Sequence, residues 1–180
     1  MFKNISLKSL DINTEMRESL RLAHLGTFEG LDIDILKVNE LSNQHSPCYV
    51  KGMFDSFNIK PGAWYLPLAL SLSEPTLKKD IESLKPVLET AVSLEAVRSI
   101  LLLPAGSDET PYEDFLSCLP EKLSYISEQL NLYNCRIGVE LPATQQNVKQ
   151  YKHNYGFLFN QLFSLLQKEN LINIGIVFDS

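Results

Sequence analysis

The chain has 180 residues, of which 44% are hydrophobic and 21% charged, and its formal net charge is -6. This composition is typical of a globular protein, so we expect a single domain over residues 1–180 of a cytoplasmic protein. A net negative charge disfavours binding to the phosphate backbone of nucleic acids. No apolar run approaches the length of a membrane span or of a signal-peptide core, so we expect no membrane partner.

Short apolar segments alternate along the chain with longer segments of helical periodicity. The strand NISLKSL precedes a helix in NTEMRESLRLAHLGTF, and the strand GLDIDIL precedes the irregular segment LSNQHSPCYVKGMFDSFNIKPG. A short helix is predicted in that segment between Tyr49 and Phe57. The third strand, GAWYLPLAL, is followed by a helix that Pro86 should bend or interrupt, because proline lacks the main-chain N–H group.

The second half of the chain continues the alternation with more apolar strands. SILLLPA precedes a helix in PYEDFLSCLPEKLSYISEQLNLYN, RIGVELP precedes the helix YGFLFNQLFSLLQKENL, and NIGIVFDS is the sixth strand. Nearly continuous apolar strands separated by helices are typical of a parallel sheet whose faces are covered by helices. We therefore expect an α/β fold with six parallel strands.

Two architectures use this alternation, an open doubly wound sheet and a closed (β/α)8 barrel. The doubly wound sheet predicts a glycine-rich phosphate loop after the first strand, but SLDINTEM contains no glycine. The barrel predicts functional groups at the carboxyl ends of several strands, and acidic residues end the second, fifth and sixth strands. We expect a TIM barrel that is truncated after the sixth strand, since a full barrel has about eight units.

The fifth and sixth strands end in acidic residues with the same spacing. Side chains alternate along a strand, so Gly138 and Glu140 share one face, as do Gly175 and Asp179. Two inward carboxylates on adjacent strands repel each other unless a cation or a shared proton offsets the charge. A divalent metal suits such oxygen ligands, and a helix cap or contact with water is the alternative for each acid.

The second and third strands carry weaker candidates. Asp32 and Asp34 share the face predicted to look into the barrel, and either can reach a substrate or cap the following helix. Trp64 on the third strand is a further candidate for substrate binding. No histidine ends a predicted strand, and neither a G-x-S-x-G motif nor a Cys/His pair can be placed, so no nucleophilic serine or cysteine is predicted.

The chain resembles the sugar phosphate isomerase/epimerase family of the xylose isomerase-like TIM barrels. The resemblance lies in five segments in order, FEGLDIDI, IKPGAWYLPL, ILLLPAGSDETPYEDF, LNLYNCRIGVELPAT and NIGIVFDS. It implies a divalent metal, Mn, Mg, Co or Zn, with Glu140 as ligand and acid/base and Asp179 as a second ligand. It also implies metal-assisted proton transfer next to the carbonyl of a small sugar or polyol.

The resemblance also implies groups that the sequence lacks. Members of the family follow the sixth-strand aspartate with a histidine, and they take a further histidine from the seventh strand and a second glutamate from the eighth. These would lie beyond Ser180, so we expect this chain alone to be inactive. We expect either a homo-oligomer or a missing C-terminal part to cover the open edges of the first and sixth strands.

Several other functions stay open at this point. The sequence is also compatible with a non-catalytic barrel fragment or split-gene half, or with a lyase similar to inosose dehydratase. An endonuclease IV-like metal-dependent hydrolase is disfavoured by the net charge of -6 and by the lack of histidines at the first four strand ends.

Overall fold

A computed structural model describes residues 2–70, 73–142, 151–156, 159–169 and 171–177 of the chain. The chain divides into two compact units, here called the first unit (Met1–Tyr65 and Lys85–Ser99) and the second unit (Leu66–Leu84 and Ile100–Ser180). The predicted single domain over residues 1–180 stays a prediction. No helix within the described ranges is long and apolar enough to cross a membrane.

The described residues form strands and helices that alternate along the chain. The strands are β1 (Asn4–Ile5), β2 (Gly30–Leu31), β3 (Lys60–Pro61), β4 (Ala63–Tyr65), β5 (Arg98–Leu102), β6 (Gly106–Ser107), β7 (Arg136–Glu140), β8 (His153–Asn154) and β9 (Ile174–Ile176). The helices are α1 (Met16–Leu25), α2 (Ile35–Gln44), α3 (Pro47–Ser56), α4 (Glu74–Ser83), α5 (Lys85–Ser93), α6 (Tyr112–Asn131) and α7 (Phe159–Lys168).

The strands at the six predicted positions follow one another in the sheets in chain order. One sheet has the order β1-β2-β3 and a second has the order β4-β5-β7-β9, while β6 and β8 form a third, two-stranded sheet. β1 pairs with β2, β2 with β3, and β7 with β9, and all three pairs are parallel. The third predicted strand, GAWYLPLAL, is formed only over Ala63–Tyr65 as β4, and β3 lies just before it. The predicted α/β fold with parallel strands is confirmed.

The second predicted strand is shorter than the sequence pattern suggests. GLDIDIL forms β2 only as far as Leu31, and its last residues belong to α2, which the sequence analysis did not predict. The side chain of Asp34 accepts a hydrogen bond from N of Lys37 at 3.3 Å. This N-cap satisfies a main-chain donor of the first turn and starts the helix at Ile35.

The helix after the third strand is interrupted, as predicted from Pro86. α4 ends at Ser83 and α5 begins at Lys85, so the proline lies in the first turn of a new helix. Proline is tolerated in a first turn because the N–H groups there have no partner within the helix.

The core of the second unit is built around α6. Its buried apolar residues recur every three or four positions, at Phe115, Leu119, Leu123, Ile126 and Leu130. This is the predicted stripe, and it packs as an amphipathic helix packs against a sheet. The Lys122 side chain is also buried, and its Nζ donates a hydrogen bond to O of Leu70 at 2.7 Å.

Candidate functional site at the carboxyl end of β7

Glu140 is the last residue of β7 and belongs to the second unit. Ile137 and Val139 point to the buried face of the strand, with 2% and 0% exposure, and alternation places Glu140 on the opposite face. Its main-chain O accepts a hydrogen bond from N of Leu103, just beyond β5, at 3.0 Å. The strand and the face are those predicted from the sequence, whereas the catalytic and metal-binding roles of Glu140 stay predictions.

The side chain of Glu140 holds an unsatisfied oxygen. Its Oε2 atom is buried and has no hydrogen-bond partner among the described residues. Burying a carboxylate oxygen without a partner is unfavourable, so such an atom in a folded protein calls for an explanation. A proton, a cation or a hydrogen-bond donor of a bound ligand would each satisfy it.

Asp179 lies outside the described residues, so its predicted role as a metal ligand stays a prediction. The register of β7 and β9 pairs Val139 with Ile176, and N of Val177 donates to O of Val139 at 2.9 Å. Continuing this register by one residue aligns Val177 with Glu140. Asp179 follows that aligned position by two residues along the chain.

The described part of the chain does not by itself complete a metal site. It contains no group of three or more His, Cys, Asp or Glu side chains that could hold a metal ion. Glu140 offers a buried oxygen that fits one coordination position, but a divalent cation with oxygen ligands takes about six to eight of them. The predicted site for Mn, Mg, Co or Zn therefore stays a prediction, and no reaction step is derived through a metal.

Asp32 lies in the first unit, just after β2, where it joins neighbouring strands. Its Oδ1 accepts hydrogen bonds from Nδ2 of Asn4 at 2.5 Å and from N of Ala63 at 2.7 Å. These contacts fasten the first residues of β1 and β4 to the residue that follows β2. The predicted role of Asp32 in substrate binding stays a prediction beside this structural role.

Asp34 and Trp64, the other predicted substrate-binding residues, also belong to the first unit. Asp34 caps α2, which was its alternative role, and its carboxylate lies 3.9 Å from Nζ of Lys37. Trp64 is 1% exposed, and its Nε1 donates a hydrogen bond to O of Ala96 at 2.6 Å. The roles of Asp34 and Trp64 in substrate binding stay predictions. The only polar atom of the Trp64 indole, Nε1, already donates to O of Ala96.

The second unit also contains an antiparallel ribbon that was not predicted from the sequence, and it begins three residues after Leu103, whose N donates to O of Glu140. The ribbon consists of β6 and β8, in which Gly106 is opposite Asn154 and Ser107 is opposite His153. Strands of two residues carry no measurable apolar period, so sequence periodicity had no means of finding them. Gly106 was the available signal, because an isolated glycine in an extended segment often marks a close approach of two chains.

Tyr155 anchors this ribbon to the start of α6. Its main-chain N donates to O of Ala105 at 2.9 Å, and its hydroxyl donates to O of Thr110 at 2.7 Å. The ring is 2% exposed and stacks on Phe115 with 4.8 Å between centroids. Burial raises the pKa of Tyr155, which keeps the hydroxyl protonated and able to donate.

No protein-family model matches the chain, and no curated protein matches it in sequence. Solved structures do match its fold. A xylose isomerase domain protein from Alicyclobacillus acidocaldarius has a TM-score of 0.80 and 19% identity over 97% of this chain and 62% of that chain. The IOLI protein with a binding zinc atom has a TM-score of 0.80 and 19% identity over 100% of this chain and 63% of that chain.

A third match is D-psicose 3-epimerase in the presence of D-fructose, with a TM-score of 0.75 and 10% identity over 98% of this chain and 62% of that chain. The chain has the fold of the xylose isomerase-like TIM barrels. The predicted fold class and resemblance are confirmed at the level of the fold. The chain spans 62% to 63% of the length of these three structures.

Other structures with this fold have different activities. They include a probable 3-DHS dehydratase from Bacillus anthracis, with a TM-score of 0.66, and a family 2 AP endonuclease from Brucella melitensis, with a TM-score of 0.69. The fold therefore leaves the reaction open, and the function has to be argued from the site.

Proposed function

We propose that this chain belongs to an enzyme of the sugar isomerase/epimerase type, in which Glu140 moves a proton next to the carbonyl of a sugar or polyol. The observation that carries the proposal is the buried Oε2 of Glu140, which has no hydrogen-bond partner among the described residues. In TIM barrels the catalytic groups lie at the carboxyl ends of the strands, which is where Glu140 lies. The proposed partner is a small-molecule substrate, and the proposed compartment is the cytoplasm.

The proposed step uses the lone pairs of the Glu140 carboxylate. No described donor competes for Oε2, so this atom is available to take a proton from the carbon beside the substrate carbonyl. Return of the proton to the neighbouring carbon, together with a shift of the hydroxyl proton between the two oxygens, isomerises the sugar. Epimerisation instead needs a second group or water to deliver a proton to the opposite face of the same carbon. Both outcomes begin with the same transfer to Glu140.

A divalent ion is part of the proposal, with Glu140 and Asp179 as its ligands. Bound there, such an ion would polarise the substrate carbonyl. The zinc atom in the IOLI protein supports this part of the proposal by likeness of fold. Of these two metal ligands only Glu140 lies among the described residues. The proposed reaction step is therefore limited to the proton transfer by Glu140.

A lyase is the second candidate. A dehydratase of the inosose type also begins by removing a proton beside a carbonyl, and the fold is shared with a probable 3-DHS dehydratase at a TM-score of 0.66. The two candidates differ after this step, because the lyase expels a hydroxyl group whereas the isomerase returns the proton. Product analysis therefore separates them.

Hydrogen exchange of ketoses in D2O with added Mn²⁺, followed by proton NMR, tests the proposal. Exchange reports proton abstraction even when product formation is slow, which suits a chain with a single acid/base candidate. We expect Glu140→Gln to lower the exchange rate by about 10²–10⁴-fold. Glu128→Gln, on an exposed part of α6, is the matched control and should leave it unchanged. Equal exchange in the wild type and in Glu140→Gln would overturn the proposal.

A further inference from the structure

The ribbon of β6 and β8 begins close to Glu140. N of Leu103 is hydrogen-bonded to O of Glu140 at 3.0 Å, and O of Ala105 accepts the main-chain N of Tyr155 at 2.9 Å. Ala105 follows Leu103 by two residues, and two residues of extended chain span at most about 7 Å. The ribbon therefore begins near the carboxyl end of β7, the strand end that carries Glu140.

Gly106 makes room on the ribbon for an aromatic ring. A Cβ atom at this position would lie 2.7 Å from Cβ and 2.8 Å from Cδ2 of Tyr151, and 2.6 Å from O of His153. These separations are too short for any side chain, so Tyr151 rests directly against the main chain of β6. Tyr151 nevertheless remains 38% exposed. Part of its ring is thus available to a ligand.

Asn154 adds a polar group beside this ring. It is paired with Gly106, and residues directly opposite each other in a ribbon share a face. Its side chain is exposed and has no hydrogen-bond partner among the described residues. An aromatic ring packs against the C–H groups of a sugar, whereas a side-chain amide both donates to and accepts from hydroxyl groups.

The charges around the ribbon favour an uncharged ligand. Asp108 and Glu109 follow β6, and Glu113 and Asp114 occupy the first turn of α6. A phosphate group binds readily at a helix N-terminus, but here carboxylates of the chain already interact with that end of the helix dipole and would repel it. Lys152, whose N donates to Oδ1 of Asp108 at 2.9 Å, is one cation among these acids.

We propose that Tyr151, seated on Gly106, and Asn154 form a wall that holds an uncharged ketose or polyol beside Glu140. This inference rests on the proposed function and adds to it the substrate class and the residues that select it. The segment that carries the wall is held in place by Tyr155, which follows Asn154 and is buried against Phe115. No covalent step is involved.

Saturation-transfer difference NMR on the 180-residue chain tests the wall, with D-fructose and D-fructose 6-phosphate as probes. We expect the chain to bind D-fructose more tightly than its phosphate ester. Tyr151→Ala should weaken D-fructose binding by about 2- to 10-fold, the range for one aromatic contact, whereas Tyr151→Phe should retain binding because the ring does the packing. Tyr49→Ala is the matched control, since Tyr49 is a 49% exposed tyrosine on α3 of the first unit.

Gly106→Ala supplies a second, independent variant. The added methyl group displaces the Tyr151 ring, so this variant should weaken D-fructose binding as Tyr151→Ala does, and its thermal unfolding shows whether it has folded. The wall is overturned if Tyr151→Ala binds D-fructose as tightly as the wild type, if the phosphate ester binds more tightly, or if neither sugar binds. Binding of D-fructose without any Glu140-dependent hydrogen exchange supports the wall and overturns only the proposed reaction.

Discussion

Oδ1 of Asp32 accepts a hydrogen bond from Nδ2 of Asn4 at 2.5 Å, which ties the residue that follows β2 to the first residue of β1 in the first unit. The same oxygen accepts the main-chain N of Ala63 at 2.7 Å. One carboxylate oxygen thus serves two neighbouring strands, and the acid that the sequence suggested for substrate contact has a structural task. Hydrogen bonds to charged groups are worth about 1.5–3 kcal/mol each.

Replacing Asp32 should destabilise the protein. Asp32→Ala removes both hydrogen bonds and leaves the partly buried N–H of Ala63 without this acceptor. We expect a loss of about 1.5–3 kcal/mol in the free energy of unfolding, which comes mainly from the Ala63 bond because the Asn4 bond is exposed. Urea unfolding measures the loss. Asp55→Ala, an exposed acid at the end of α3, should change stability by less than about 0.5 kcal/mol. Equal stability of both variants would contradict the structural role of Asp32.

A side chain at Gly62 should disturb the same pair of residues, because the glycine packs against both of them. A Cβ atom there would lie 2.4 Å from Oδ1 of Asn4 and 2.6 Å from Oδ1 of Asp32. Gly62→Ala therefore separates the two groups, and we expect a loss of about 1–3 kcal/mol. Removing the asparagine as well, in an Asn4→Ala/Gly62→Ala double variant, should cost less than the sum of the single changes.

Gly52→Ala is the matched control for that substitution. Gly52 lies inside α3, and a Cβ atom there meets nothing within 4 Å. Alanine has a higher helix propensity than glycine, so this variant should gain about 0.5–1 kcal/mol. Thermal or urea unfolding of the two alanine variants should therefore give shifts of opposite sign, and shifts of the same sign would contradict the packing described at Gly62.

Trp64 should report folding and not sugar binding. Trp64→Phe leaves O of Ala96 without the Nε1 donor in a buried position, which should cost about 1–3 kcal/mol. Trp64 is also the single tryptophan of the chain, so its fluorescence can be followed directly. We expect emission typical of a buried indole, unchanged by D-fructose. A change on adding the sugar would instead favour the substrate contact predicted from the sequence.

Stability should fall at alkaline pH because of Cys135. Burial raises the pKa of this thiol from 9.0 to about 11. As the pH rises between these values, the unfolded chain loses the thiol proton while the folded protein keeps it, so the unfolded state is increasingly favoured. The stability that the protonated Cys135 thiol contributes is fully present below the pKa of the unfolded state and is lost as the pH rises through the pKa of the folded state.

The Cys135→Ala variant isolates this contribution. Urea midpoints measured across that pH range should decline less steeply in the variant than in the wild type, because the other titrating groups are common to both proteins. Thiol labelling of the native protein gives an independent check, since Cys48 is exposed and Cys135 is buried. Identical pH slopes for the two proteins would contradict the raised pKa.

The sequence alone determined the order of the main elements. The six strand positions, the break at Pro86 and the apolar stripe of α6 all rest on local signals, namely apolar runs, a missing N–H group and a period of 3.6 residues. Such signals can be read from the sequence without knowing which elements pack against each other. For the same reason the sequence placed Glu140 at the end of its strand and on the correct face.

The boundary between β2 and α2 shows where local signals conflict. The alternation in GLDIDIL predicts a strand of seven residues, but Asp34 is also a good N-cap. The same residues are therefore compatible with a strand and with the start of a helix. The structure ends the strand at Leu31 and begins the helix at Ile35. Pairing with the neighbouring strands decides the outcome, since β2 is paired with β1 and β3 only over Gly30 and Leu31.

Only the tertiary structure decided the surroundings of Glu140. The ribbon joins Gly106 to Asn154, and Tyr155 to Thr110, across more than forty residues of sequence. Strands this short have no period to detect, and whether a carboxylate oxygen is buried without a partner depends on every chain segment that reaches it. The sequence therefore determined which residue ends the strand, and long-range packing decided what that residue meets there.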